Sequence, residues 1–144
     1  MQPTLFALKR AYQAARNALE ILLQPTGLTA AQLDVLKLLP ADGLDQRALQ
    51  AELGITSATL TRLLAGMQRR GLVTRSRHPS DARGKTVRLT SKARRLRNAL
   101  MAHGEAAFAA RMLRGFTRGE TAALTEMLSR IADNMSRLDS TDDR

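Results

Sequence analysis

Between Arg62 and Arg97 the chain places twelve of its 23 lysines and arginines (Arg62, Arg69, Arg70, Arg75, Arg77, Arg83, Lys85, Arg88, Lys92, Arg94, Arg95 and Arg97) against a single acid, Asp81. At that density such groups do one kind of chemistry: they pair with anionic oxygens, arginine through a planar fork and lysine as a point charge. Over all 144 residues the formal net charge is +10. A compact chain so charged repels itself, and a polyanionic partner explains it best, nucleic acid before an anionic membrane. A merely soluble basic surface is the plain alternative. Other chemistries find little to work with. There is no cysteine, which rules out disulfides, thiolate-bound zinc and thiol redox sensing. His78 and His103 are the only histidines, and His103 with Glu105 is too sparse a set for a metal, so none is expected. No glycine-rich phosphate loop and no supported Ser-His-Asp grouping occurs, so neither catalysis nor a cofactor is expected. Tyr12 is the only tyrosine and tryptophan is absent, which gives single-stranded nucleic acid little to stack on.

The elements that must position the cations can be read from period and punctuation. Leu5, Leu8, Tyr12, Ala15, Leu19 and Leu22 recur at steps of three and four, the stripe of a long amphipathic helix stopped by Pro25 and Gly27. Thr29 with Gln32 is a capping box that starts a second helix at Ala30, ended by Pro40 and Gly43. Asp45 caps a third helix that closes at Gly54, and Thr56 caps a fourth that runs to about Arg70 before Gly71. Two helices joined by a short glycine turn make a helix-turn-helix. After Gly71 the period changes to alternation. Residues 72–77 and 85–89 predict a hairpin, with a charged loop from His78 to Gly84 at its tip. Thr90 caps another long helix striped by Ala93, Leu96, Leu100, His103, Ala107 and Ala110. Thr117 and Glu120 form a second capping box, opening a last helix striped by Leu124, Leu128, Ile131, Met135 and Leu138. The expected class is therefore mainly α with a small β-hairpin wing, a winged helix-turn-helix with long terminal helices. Its parts are an N-terminal helix (1–27), the winged module (28–90), the C-terminal helices (91–138) and a polar tail (139–144).

On a helical wheel Leu60, Leu63, Leu64 and Met67 gather on one side of the fourth helix, which turns Ala58, Arg62, Ala65 and Arg69 to the other. A helix of this kind fits the major groove of duplex DNA, where Arg62 can bond guanine and Ala58 can touch a thymine methyl. Ser57, Thr59 and Thr61 carry hydroxyls that reach bases or phosphates, or that serve the first helical turn instead. Arg69 and Arg70 lie where they can equally favour the negative end of the helix dipole. On the hairpin tip, Arg83 can enter a narrow minor groove while Asp81 holds its guanidinium in place. Arg75, Arg77, Lys85 and Arg88 on the strands are expected to meet phosphates.

The terminal helices carry more apolar edge than the small module can cover. A second copy is the economical cover, with Leu5, Leu8, Tyr12, Leu124, Leu128, Ile131 and Met135 at the seam. A monomeric bundle is the alternative. Met1 to Gln24 is interrupted by Lys9, Arg10, Arg16 and Glu20, unlike a signal peptide, and no run of about 18 apolar residues occurs, so a cytoplasmic protein without membrane contact is expected.

The combination of Leu60-Thr61-Arg62-Leu63-Leu64, Gly71-Leu72-Val73-Thr74-Arg75 and Pro79-Ser80-Asp81-Ala82-Arg83-Gly84-Lys85, leading into Leu89-Thr90, resembles the MarR-type winged helix-turn-helix regulators over nearly the whole chain. The resemblance implies a homodimer joined through its first and last helices, with two reading heads on a pseudo-palindromic operator and usually a repressor's role. It further implies that Arg83 is the minor-groove arginine with Asp81 its partner, and that the helix bearing Ser57, Thr59, Thr61 and Arg62 enters the major groove. Release of DNA by a small anionic or aromatic effector is also implied. Two alternatives stand beside this reading: a constitutive or architectural DNA binder of the same fold without an effector, and a winged module that meets an acidic protein.

Overall fold

The computed structural model describes residues 1–78 and 81–137, and the side chains of 78 and 81–83 lie outside that description. Helix α1 (Pro3–Leu23) passes through a single 3₁₀ turn (Gln24–Thr26) to α2 (Ala30–Leu38), followed by strand β1 (Leu44–Asp45), α3 (Gln46–Leu53) and α4 (Ser57–Arg69). Strands β2 (Val73–His78) and β3 (Asp81–Leu89) then lead to α5 (Ser91–Met112) and α6 (Arg118–Ser136). The chain divides into two compact units, residues 1–106 and 107–144.

The helix starts obey local chemistry. Thr29 accepts from the Gln32 amide while the Gln32 side chain accepts from the Thr29 amide, and Thr117 with Glu120 repeats the exchange at α6. Asp45 accepts from the Arg47 amide, Thr56 from the Thr59 amide and Thr90 from the Ala93 amide. Each satisfies a donor that the helix geometry orphans, worth about 1 kcal/mol per cap. Gly71 closes α4 with φ 68°, a left-handed value that a Cβ disfavours, and Leu72 N returns to Met67 O at 2.9 Å.

The core of the first unit joins Leu33, Val35, Leu36 and Leu39 with Leu49, with Leu60, Leu64 and Met67, and with Leu72, Val73, Val87, Leu89 and Ala93. Polar ties run around it. Arg16 pairs with Asp34 at 2.8 Å, the Glu20 carboxylate accepts from Ala30 N at 2.8 Å, and Lys37 pairs with Glu105 at 2.9 Å. Arg97 donates to the carbonyls of Leu36 and Leu39, two of the oxygens that the end of α2 leaves open. Glu105, considered above beside His103, is thus engaged by a lysine.

The wing differs from the expected hairpin in two ways. It is a three-stranded antiparallel sheet in the order β1-β3-β2, because Leu44 and Asp45 pair with Val87 and Thr86. Two residues are too few to show alternation, so no periodicity announced β1. The expected loop from His78 to Gly84 is also shorter: β3 already begins at Asp81, and His78 faces Asp81 across an irregularity after Arg77. Backbone pairing needs no apolar side chains, so it continues past the point where the apolar pattern stops. Pro79, Ser80 and, at the far end, Leu138 lie outside the described residues.

In the second unit α6 has no buried residue, with Met127 51%, Leu128 41% and Met135 59% exposed. In the first unit Leu5 and Tyr12 on α1 are likewise exposed.

Gly43 clamps the α2–β1 turn onto the wing. Its φ is 87°, and a Cβ there would stand 2.7 Å from Val87 O and 2.6 Å from Arg88 Cγ. Gly43→Ala is expected to destabilise the fold by about 1–3 kcal/mol, through left-handed strain and displacement of β3. Urea unfolding checks this, with a lowered midpoint as the expected result.

Candidate nucleic-acid interface

One face of α4 is fixed by burial. Leu60, Leu64 and Met67 are fully covered, so the opposite row has no choice but to face solvent. Ala58, Arg62 and Arg69 are exposed, with Ala65 half-buried between them. Ser57, Thr59 and Thr61 are exposed too. Two of their hydroxyls already have local work: Thr59 Oγ1 shares a hydrogen bond with Thr56 Oγ1 at 2.8 Å, and Thr61 Oγ1 donates to Ser57 O at 2.9 Å. Each hydroxyl keeps a free lone pair, so the local bond and an outside contact are compatible. Among the described residues no ion pair involves α4, β2 or β3, which leaves the Arg62 guanidinium unneutralised.

The register of the wing sorts its cations. Directly opposed residues of an antiparallel pair share a face. The pairs Val73 with Leu89, Arg75 with Val87 and Arg77 with Lys85 therefore lie on one face, and Thr74 with Arg88 and Ser76 with Thr86 on the other. The first face is apolar at the base, where Val73, Val87 and Leu89 are buried, and cationic toward the tip. It meets the last turns of α4, where Arg75 Nε donates to Gln68 Oε1 at 3.2 Å. Gln68, Arg75, Ser76, Arg77 and Lys85 line a cavity of about 190 Å³ there. Arg88 stands apart: Nε donates to Asp42 O at 3.1 Å and Nη1 to Ser76 Oγ at 3.4 Å, tying β3 to the turn before β1. Of the four strand cations singled out in the sequence, three converge beside α4 and one faces elsewhere. Asp81 and Arg83 fall in β3 by backbone, and their side chains lie outside the described residues.

Two contributors escaped the sequence. Gln68 lies seven residues after Thr61 on the same flank of α4, so the wheel could have flagged it, but nothing local announces Arg75 as its partner. Arg70 turns away from the helix end. Its guanidinium donates to Gly27 O at 2.7 Å, Gln32 Oε1 at 3.1 Å and Thr26 O at 3.4 Å, while Lys92 Nζ donates to Arg70 O at 3.0 Å. Thr90 Oγ1 donates to Gly71 O at 2.6 Å beside it. The end of α4 is therefore pinned from both sides, and its outward stripe is presented at one pitch.

Known proteins share this arrangement. The model of the MarR family matches residues 26–84. A helix-turn-helix-type transcriptional regulator of Bacillus subtilis (strain 168), YdgJ, is 33% identical over 115 residues, 79% of this chain and 70% of its own. Among solved structures, a cysteine-to-serine mutant of MarR from E. coli complexed with operator DNA superposes with a TM-score of 0.84 at 25% identity, covering 90% of this chain and 93% of that one. CouR from Rhodococcus jostii RHA1, bound to p-coumaroyl-CoA, superposes with a TM-score of 0.80 at 28% identity, covering 91% and 92%. With its exposed arginine stripe, its cationic wing face and these relatives, the chain belongs to the MarR family of winged helix-turn-helix transcriptional regulators.

Proposed function

We propose that two copies of this chain bind one pseudo-palindromic duplex operator, inserting α4 into successive major grooves and the wings into the flanking minor grooves, and so repress a promoter. The observation that carries the reading is the outward row of exposed Ala58, Arg62 and Arg69 with half-buried Ala65 between them, beside Arg75, Arg77 and Lys85 and without a neutralising acid among the described residues. Arg62 reads guanine, Ala58 gives close approach near a thymine methyl, and Ser57, Thr59 and Thr61 bond nearby bases or phosphates. Arg83 is the minor-groove arginine with Asp81 its partner, a role that rests on the family motif. The operator-bound relative supports the partner class.

Exposure of Leu5, Tyr12, Leu128 and Met135 supports burial of both terminal segments in a homodimer, because apolar edges of this extent seek cover. Leu8, Leu124 and Ile131 complete the two stripes. The terminal parts 1–27 and 91–138 then serve assembly and 28–90 serves reading. A small aromatic or anionic effector releases the DNA, a step supported by the acyl-CoA bound to one relative. The chain acts in the cytoplasm and catalyses nothing. No helix among the described residues is long and apolar enough to cross a membrane.

Titration against promoter DNA and random DNA at several salt concentrations tests the reading. A specific site is expected to be preferred by about a thousandfold or more. Constitutive architectural binding would give only a steep salt slope, and a protein-interaction module neither. Arg62→Ala is expected to cost about 1–3 kcal/mol at the preferred site and to relax selectivity at one base pair, measured by competition with base-substituted duplexes. Arg83→Ala should weaken operator binding and leave the dimer intact. Leu128→Glu or Ile131→Glu is expected to weaken self-association by roughly 2 kcal/mol or more, and a sedimentation profile still fully dimeric would reject this interface.

A further inference from the structure

We infer that the cavity between the end of α4 and the wing is a discrete phosphate-group site, and that Gln68 is its positioning residue. The inference deepens the duplex-binding reading and rests on it for the source of the phosphate, though not for the chemistry of the site. Three cations, Arg75, Arg77 and Lys85, line one cavity of about 190 Å³ with Gln68 and Ser76, and among the described residues no acid lines it. Cations brought together without a counter-charge repel one another, and an anion seated among them removes that cost.

The position of Gln68 makes the site specific. Its Oε1 accepts from Arg75 Nε, the nitrogen on the inner edge of the guanidinium. The fork is thereby held by a neutral acceptor, and both terminal nitrogens remain available for two parallel bonds to phosphate oxygens. A carboxylate in the place of Gln68 would hold the same nitrogen but cancel the charge. Arg75 is half-buried, whereas Arg77 and Lys85 are exposed. One cation is thus set in advance and the other two close on the anion from the wing. The Ser76 side chain belongs to the opposite sheet face, where its Oγ accepts from Arg88 Nη1, so the groups that meet the anion are those of Arg75, Arg77 and Lys85.

The source is a backbone phosphate of the duplex or free phosphate, and two measurements on the full chain separate them. In the first, inorganic phosphate is added at constant ionic strength while the Arg75 and Arg77 side-chain resonances are followed by NMR. A saturable shift in the wild type, lost in Gln68→Glu and in Arg75→Ala, is expected of a phosphate-group site. In the second, a duplex selected by the wild type from a random-sequence pool is neutralised one phosphate at a time with methylphosphonate. One phosphate per half-site is expected to cost the wild type on the order of tenfold in affinity and to cost Gln68→Glu far less, the signature of a direct contact through this cavity. Gln68→Leu should also lose the coupling, while a purely structural glutamine would change affinity equally at every phosphate. A coupled position assigns the backbone as the source, and a saturable shift without one assigns free phosphate. No shift and no coupled position overturns the inference. If the wild type selects no duplex, the proposed function fails and the first measurement still decides the site.

Discussion

Everything functional in this chain depends on the burial of one face of α4. Leu60, Leu64 and Met67 are fully covered among Leu36, Leu49, Val73 and Val87, at about 1.5–3 kcal/mol for each large apolar side chain removed from water. A helix held so firmly on one side cannot roll. Its opposite row is offered to solvent by subtraction, and that row is where the arginines and the small residues stand. The same core holds the base of the wing, since Val73, Val87 and Leu89 belong to it. Helix and wing therefore share one anchor, and the cations on the first sheet face arrive beside α4 because their apolar neighbours on that face are already committed.

Electrostatics works against this arrangement and gives it purpose. The basic residues between Arg62 and Arg97 raise the energy of the folded chain without a partner, and among the described residues the ion pairs that are made lie elsewhere, at Arg16, Lys37 and Arg47. Exposed pairs of that kind contribute little to stability, roughly 0–1 kcal/mol each. The apolar core must carry the charge repulsion until an anion offsets it. Salt dependence is therefore a property of the reading surface more than of the fold.

Much of this was legible in the residues because it is local. Thr29 with Gln32, Thr117 with Glu120, Asp45, Thr56 and Thr90 announce their helices within four residues, and the apolar period of α4 identifies its buried face without reference to any neighbour. What escaped is non-local. Strand β1 exists only because β3 offers it a ladder, and the early start of β3 at Asp81 depends on backbone pairing that no side chain reports. Arg88 reads as one more wing cation until the register turns it toward Asp42. Arg70 reads as a helix-end cation until the 26–27 carbonyls are known to lie within reach. Composition gave the sum of the charges, and topology decided which of them act together.

The grasp on Arg70 has a mechanical result. Its guanidinium holds the stretch where α1 hands over to α2, and its own carbonyl is held by Lys92 at the foot of α5. The last turn of α4 is thus tied by side-chain hydrogen bonds to the turn that follows α1 and to the first turn of α5, and it cannot shift against either without breaking them. Three short stretches of chain far apart in sequence are thereby locked to one another at a single arginine.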